Sequence, residues 1–465
     1  MLFFDLPFLT LFIFVLPLSY LLKGRTRLLL LLTASYIFYG YWDWRFLGLL
    51  IISTFVDYII GNCLNAENNS FRRKTLVLIS VIANLSILGI FKYSNFFLEN
   101  FYLSFSVPED QRFFWSFVLP PGISFYTFQT MSYTIDVFRK EKKAERDILA
   151  FATFVAFFPQ LVAGPIERSN KLIPQIKRET NFSFSNLYIG LRFFTLGCFK
   201  KLVIADHVAK TVDNIFSNPS DASLVALWVA AYSFAIQIYC DFSGYADMAR
   251  GVAKSMGINL TRNFKLPYFS SSLSEFWRRW NITLSYWLRD YVYIPLGGSK
   301  YGLQKRIKNI FITFSLSGLW HGASWTFVLW GIMHASVITV EILIQRYLKF
   351  NPHKLVKIFI SFNIIVLLWV LFRSASFVDA KVYIIGMFSW QKELMKASDW
   401  LYLNTLWFYS IPLICFSIWQ YRTNKEMPDL IIKSRFIHGI ALSMVLFCTI
   451  LFGAQDASQF IYFQF

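Results

Sequence analysis

Apolar stretches follow one another along almost the whole of this chain, at residues 2–22, 27–45, 46–64, 75–97, 113–138, 148–164, 187–205, 222–247, 308–332, 333–350, 355–372, 401–421 and 436–453. A transmembrane helix needs roughly 17 to 25 apolar residues, and several of these stretches abut without a proper loop, so the sequence predicts about 11 to 13 spans. Composition agrees: 56% of the 465 residues are hydrophobic and only 15% are charged, more apolar surface than a soluble core of ordinary composition can hide. The expected fold is all-α, a polytopic integral membrane protein. The first stretch lacks the positive n-region and small-residue cleavage site of a secretory signal peptide and is expected to stay in the mature chain.

The 45 Lys and Arg against 27 Asp and Glu orient spans rather than recruit nucleic acid. Lys23, Arg25 and Arg27 form one cationic cluster, Arg72, Arg73 and Lys74 a second, and Arg139, Lys140, Lys142, Lys143 and Arg146 a third. The turns between them are poor in basic residues, which sets the N-terminus on the extracytoplasmic side. After Ala163 the alternation fails, because Lys171, Lys177, Arg178, Lys200 and Lys201 fall too close together for simple threading. Non-spanning or re-entrant structure is expected there. The five cysteines are scattered without C-x-x-C spacing, and read as buried apolar residues rather than a disulfide framework or metal site. No internal repeat, G-x-G-x-x-G, P-loop or G-x-S-x-G motif occurs, so common soluble cofactor chemistry has no support.

His321 lies inside the apolar run from Ile310 to Met333, among Ser315, Ser317, Gly318, Gly322, Ala323 and Ser324 and beside Trp320. A polar group in hydrocarbon is costly without compensation, so an intramembrane histidine is by default a functional candidate. Its small neighbours let a helix or a substrate chain come close. His334 follows 13 residues on; in a straight helix it would sit nearly opposite His321 and some 20 Å away, so the two cannot share a metal. His207 and His438 stand near span ends and His353 in a loop.

Three further segments carry polar groups. Ser233, Gln237, Asp241 and Tyr245 recur every four residues and so share one helical face, which in a membrane must look inward. Asp241 and Asp247 each need a partner there, with Arg250 a candidate for the second; a structural network and a direct role in binding both remain open. The stretch from Phe276 to Gly298 mixes aromatic and basic residues too finely for a plain span. It reads as interfacial, with Trp277, Trp280 and Trp287 at headgroup depth and Arg278, Arg279 and Arg289 reaching water or phosphate. Lys300, Lys305, Arg306 and Lys308 extend this basic ring, which suits either a phosphate-bearing ligand or anionic membrane lipids. The chain ends Phe460-Ile-Tyr-Phe-Gln-Phe465, an apolar terminus expected to be buried, in which Tyr462 alone offers a nucleophilic hydroxyl.

Taken together, Pro120-Pro-Gly-Ile-Ser-Phe-Tyr-Thr-Phe-Gln129, Pro159-Gln-Leu-Val-Ala-Gly-Pro-Ile-Glu-Arg168, Asp241-Phe-Ser-Gly-Tyr-Ala-Asp-Met248, the Trp277–Gly298 stretch and Leu319-Trp-His-Gly-Ala-Ser324 resemble the membrane-bound O-acyltransferases. Within that family the likeness is to the bacterial branch that O-acetylates alginate and peptidoglycan. The teichoic acid D-alanyl transferases look similar too. The resemblance implies a funnel-shaped helical bundle in the bacterial inner membrane, whose thin floor lets a cytoplasmic acyl thioester meet an extracytoplasmic acceptor. One domain is expected over residues 1–465, with up-and-down spans in 1–138, a catalytic core in 139–350 and C-terminal spans with the aromatic tail in 351–465.

In the same way it implies that His321 is catalytic and that Asn281 stands where many eukaryotic members carry asparagine and the bacterial polysaccharide branch more often has histidine. The terminal Phe-Ile-Tyr-Phe-Gln-Phe also resembles the end motif of this branch, which makes Tyr462 a candidate acyl relay, the alternative being that the tail only packs as a hydrophobic plug. Arg278, Arg279, Arg289 and Lys305 would meet the phosphates of acetyl-CoA, the donor, with Gln237, Asp241, Tyr245, Trp320 and His334 lining the pocket and no metal required. The implied partners are a periplasmic transferase of the SGNH type or alginate-acetylation proteins. A flippase for a lipid-linked sugar is the rival class, since such proteins also bury His and Asp, but neither inverted repeats nor paired broken helices are apparent.

Overall fold

A computed structural model describes residues 1–348, 350–427, 435–454 and 460–461. Every regular element among them is helical. Among the described residues six helices are long and apolar enough to cross a membrane, namely Arg45–Ala66, Ser70–Ser104, Leu224–Ser255, Trp325–Leu348, Lys354–Arg373 and Asp399–Thr423, and Leu6–Leu21 is a shorter apolar helix. The chain is thus an all-helical polytopic membrane protein. Its contacts group into two compact units, Met1–Phe194 with Met248–Thr261, and Thr195–Asp247 with Arg262–Phe465.

Local chemistry interrupts several of the expected spans. In the 148–164 stretch the helix is only Ile148–Ala156, because Pro159 has no N–H and its ring disfavours helical backbone in the residue before it. The turns that follow are buried all the same, Phe157 and Ala163 completely. In the 113–138 stretch the helix starts only at Ile123, after Pro120, Pro121 and Gly122, whose φ of 75° is left-handed. The 187–205 stretch changes at Phe199–Ala205 into a widened, π-helical turn.

The first unit is fastened by buried polar groups. Asp57 accepts hydrogen bonds from Asn84 (2.7 Å), Thr134 (2.8 Å) and Ser80, tying three helices at one carboxylate. Two arginines from the cationic clusters are also buried. Arg27 donates to the carbonyls of Ser19, Ile176 and Arg178, and Arg73 to those of Leu64, Glu67, Val137 and Phe138. Each guanidinium therefore closes carbonyls at helix ends, which in a membrane would otherwise lack donors.

In the second unit Gly302–His321 and Trp325–Leu343 form a hairpin. A Cβ on Gly318 would lie 2.1 Å from the Phe327 carbonyl oxygen, and one on Gly331 2.1 Å from that of Phe314. The two backbones approach as closely as glycine permits. This overturns the expected boundary between spans at 332/333: the break is at residues 322–324, where Gly322 is extended and Ser324 caps the next helix by accepting from the Thr326 N–H at 3.3 Å.

Candidate active site

His321 is the last residue of its helix and is buried, 4% exposed. Its ring centre lies 4.9 Å from Trp320, 5.1 Å from Trp330 and 5.5 Å from Phe372. Trp330 also faces His334 at 4.5 Å. The hairpin break thus brings both imidazoles onto one indole, correcting the separation of some 20 Å expected of a straight helix. They remain chemically distinct. The Trp277 indole N–H donates to His334 Nδ1 at 3.2 Å, so His334 carries its own proton on Nε2 and is enclosed by Trp277, Phe314 and Trp330.

From Trp330 the aromatic wall continues to Trp369 at 5.8 Å and from there to Trp280 at 5.1 Å. Trp277, Trp280 and Trp287 are all buried within the protein rather than presented on its surface. They are drawn inward because the stretch folds into the short helices Leu273–Trp277 and Ile282–Leu288 and a π turn at Arg289–Tyr293. Asn281 joins the first two with a left-handed φ of 40°, a conformation asparagine tolerates better than most residues. Asn281 is completely buried, and neither its amide nitrogen nor its amide oxygen has a hydrogen-bond partner among the described residues. Such a group is costly to leave unsatisfied, which makes this amide available to something that enters the site.

Beside this wall is a cavity of about 370 Å³, with Arg278, Arg289 and Arg306 in its lining together with Trp277, Phe314 and Ser317. Ser317 precedes His321 by one helical turn on the same face. Of the four cations expected to share one ligand, Arg278 and Arg289 line the cavity, while Arg279 is held by Glu275 at 2.6 Å and Lys305 is exposed outside the lining. Arg289 also pairs with Asp290 at 2.7 Å. Arg306, which the sequence reading placed only in the basic ring, belongs to the lining; its helical register relative to Ile310 and Thr313 was the available signal.

The polar stripe is a second constellation. Ser233, Gln237, Asp241 and Tyr245 all lie buried on Leu224–Ser255. Asp241 receives Lys201 Nζ at 2.8 Å, and the same ammonium reaches Asp206 at 2.8 Å, while Lys200 pairs with Asp247 at 2.7 Å. The adjacent lysines that defied simple threading are thus buried counter-ions presented by the π turn. Asp241 also accepts the backbone N–H of Ile461 at 2.7 Å, and Phe460 packs on Tyr245 at 5.1 Å and on Phe242 at 6.0 Å. Tyr462 lies outside the described residues, as does the His438 side chain. His207 stacks on Tyr409 at 4.3 Å, and His353 caps a helix by accepting from the Leu355 N–H at 3.3 Å.

Residues 36–378 match the model of the MBOAT, membrane-bound O-acyltransferase family. A protein named probable alginate O-acetylase in Pseudomonas putida is 38% identical, over 97% of this chain and 97% of its own length. Its namesake in Pseudomonas syringae is 40% identical over 88% of this chain and 80% of its own length. The peptidoglycan O-acetyltransferase of Helicobacter pylori is 36% identical over 77% and 73%.

Proposed function

The chain belongs to the membrane-bound O-acyltransferase family and is an acyltransferase, and on that premise we propose that it takes acetyl from cytoplasmic acetyl-CoA and delivers it for O-acetylation of a cell-envelope polysaccharide. The observation that carries this reading is the arginine-lined cavity ending one helical turn from His321. Its size is within the range of about 300–1,000 Å³ common for small-molecule sites. Guanidinium groups donate paired hydrogen bonds to phosphate oxygens, and the apolar lining by Trp277, Phe314 and Ile338 suits the uncharged arm that carries the thioester.

In this mechanism neutral His321 removes the proton from an attacking hydroxyl as its oxygen bonds to the thioester carbonyl carbon. The Asn281 amide N–H donates to the carbonyl oxygen while negative charge develops there. Collapse of the adduct breaks the C–S bond, and the proton passes from the imidazole to the departing CoA sulfur. The first hydroxyl is that of Tyr462, which follows the buried Ile461 directly. The resulting aryl ester is a better acetyl donor than an alkyl ester and can be attacked by a serine of a periplasmic partner. The acceptor is alginate or peptidoglycan, the polymers named for its relatives, or a related exopolysaccharide.

The test replaces the chain in its host by Tyr462→Phe, which keeps the ring and deletes the hydroxyl. Expected are a folded protein, no O-acetyl on the envelope polymer, and a labile acetyl on the C-terminal peptide of the parent by mass spectrometry. Parent-level polymer acetylation by Tyr462→Phe would remove the relay and leave the acceptor to reach His321 directly.

A further inference from the structure

The strongest feature not used by that chemistry is the ion cluster beneath the tail. Lys201 bridges Asp206 and Asp241, and the second oxygen of Asp241 takes the Ile461 N–H. Asp241, Lys201 and Asp206 are each no more than 3% exposed, so this charge-assisted bond works where water competes little. The tail is tied to the same π turn on its other side: the Ala454 N–H donates to the Leu202 carbonyl at 3.0 Å. Phe460 then fills the space against Tyr245 and Phe242.

We infer that Lys201 and Asp241 form a latch for the C-terminal tail, and that they are positioning residues which set the reach of residue 462. Lys201 pairs with Asp241 and orients its carboxyl group. Asp241 in turn fixes the backbone one residue before the phenol, while the ring of Phe460 sets the direction from which the chain arrives. The role of the latch in acetyl transfer rests on the Tyr462 relay proposed above; its hold on the tail does not.

The experiment uses the full chain in detergent and two readouts. Ile461→Pro deletes the N–H that Asp241 binds, whereas Ile461→Ala keeps it. Carboxypeptidase should remove Phe465 and Gln464 at least about tenfold faster from Ile461→Pro and from Asp241→Ala than from the parent, the change expected when a hydrogen bond to a buried charge is lost. Ile461→Ala should stay within about threefold, having lost only side-chain packing. Equal rates for Ile461→Pro and the parent overturn the latch whatever the chain's activity. In the second readout Ile461→Pro should transfer acetyl to the envelope polymer on the order of 10²-fold more slowly, since misplacing a reacting group by an ångström has that effect. The KM for acetyl-CoA should not move. A released tail with parent-level transfer would overturn the positioning role and leave the hold on the tail standing, while the relay itself is decided separately by Tyr462→Phe.

Discussion

His321 and His334 press on the same tryptophan, yet they should respond oppositely to substitution. His334 accepts the Trp277 N–H inside an aromatic cage, so His334→Ala leaves a buried donor without an acceptor and should destabilise the protein by about 1–3 kcal/mol. Thermal unfolding in detergent checks this, with a lowered Tm expected and an unchanged one counting against a structural role. Asn281 differs again. Its amide is buried without a partner among the described residues, so Asn281→Ala should lower kcat by about 10²–10³-fold, the usual loss when an oxyanion donor is removed, with little change in Tm. A fall in Tm without a fall in kcat would make Asn281 a residue of the turn alone.

At the scale of elements, the hairpin and the arginine cavity each carry an expectation. Gly331→Val would drive a Cβ into the Phe314 carbonyl oxygen, 2.1 Å away, and the helices cannot separate without unpacking Trp330. Loss of monodisperse protein after purification is expected; a parent-like yield and Tm would contradict the close packing. Replacing Arg278, Arg289 and Arg306 together by Gln should raise the KM for acetyl-CoA and flatten its dependence on salt, because fewer charges remain to be screened. The same change at Arg279 should do less, as Glu275 already holds it. Much of this was legible in the sequence: the four-residue spacing from Ser233 to Tyr245 gave the buried face, and His321 stood out among small residues. The partners were not. Lys201 looked like a topological charge because nothing local shows that a π turn carries it onto Asp241, 40 positions away. The tryptophans of 277–287 looked interfacial because their pattern does not reveal that Asn281 turns left-handed and folds them inward.

For the whole molecule, the alternation of apolar stretches and turns was enough to give an all-helical, multi-pass protein, since span length is fixed by the bilayer and not by tertiary detail. It overestimated the helix in the 148–164 and 113–138 stretches, where only Ile148–Ala156 and Ile123–Phe138 are helical. Apolar residues in the turns after Ala156 are buried by neighbouring helices, and hydropathy does not distinguish that from burial by lipid. A fold of this kind matters for the proposed function, in which donor and acceptor meet the protein from opposite sides of a membrane. The most direct measurement therefore uses inverted membrane vesicles from the host, supplied on the outside with acetyl-CoA labelled in its acetyl group. Label should appear as O-acetyl on polymer in the lumen with the parent chain, and should fall by about 10²–10⁴-fold, the usual contribution of a general base, with His321→Ala present at the same level and folded. Undiminished labelling of the lumenal polymer by folded His321→Ala would contradict the account.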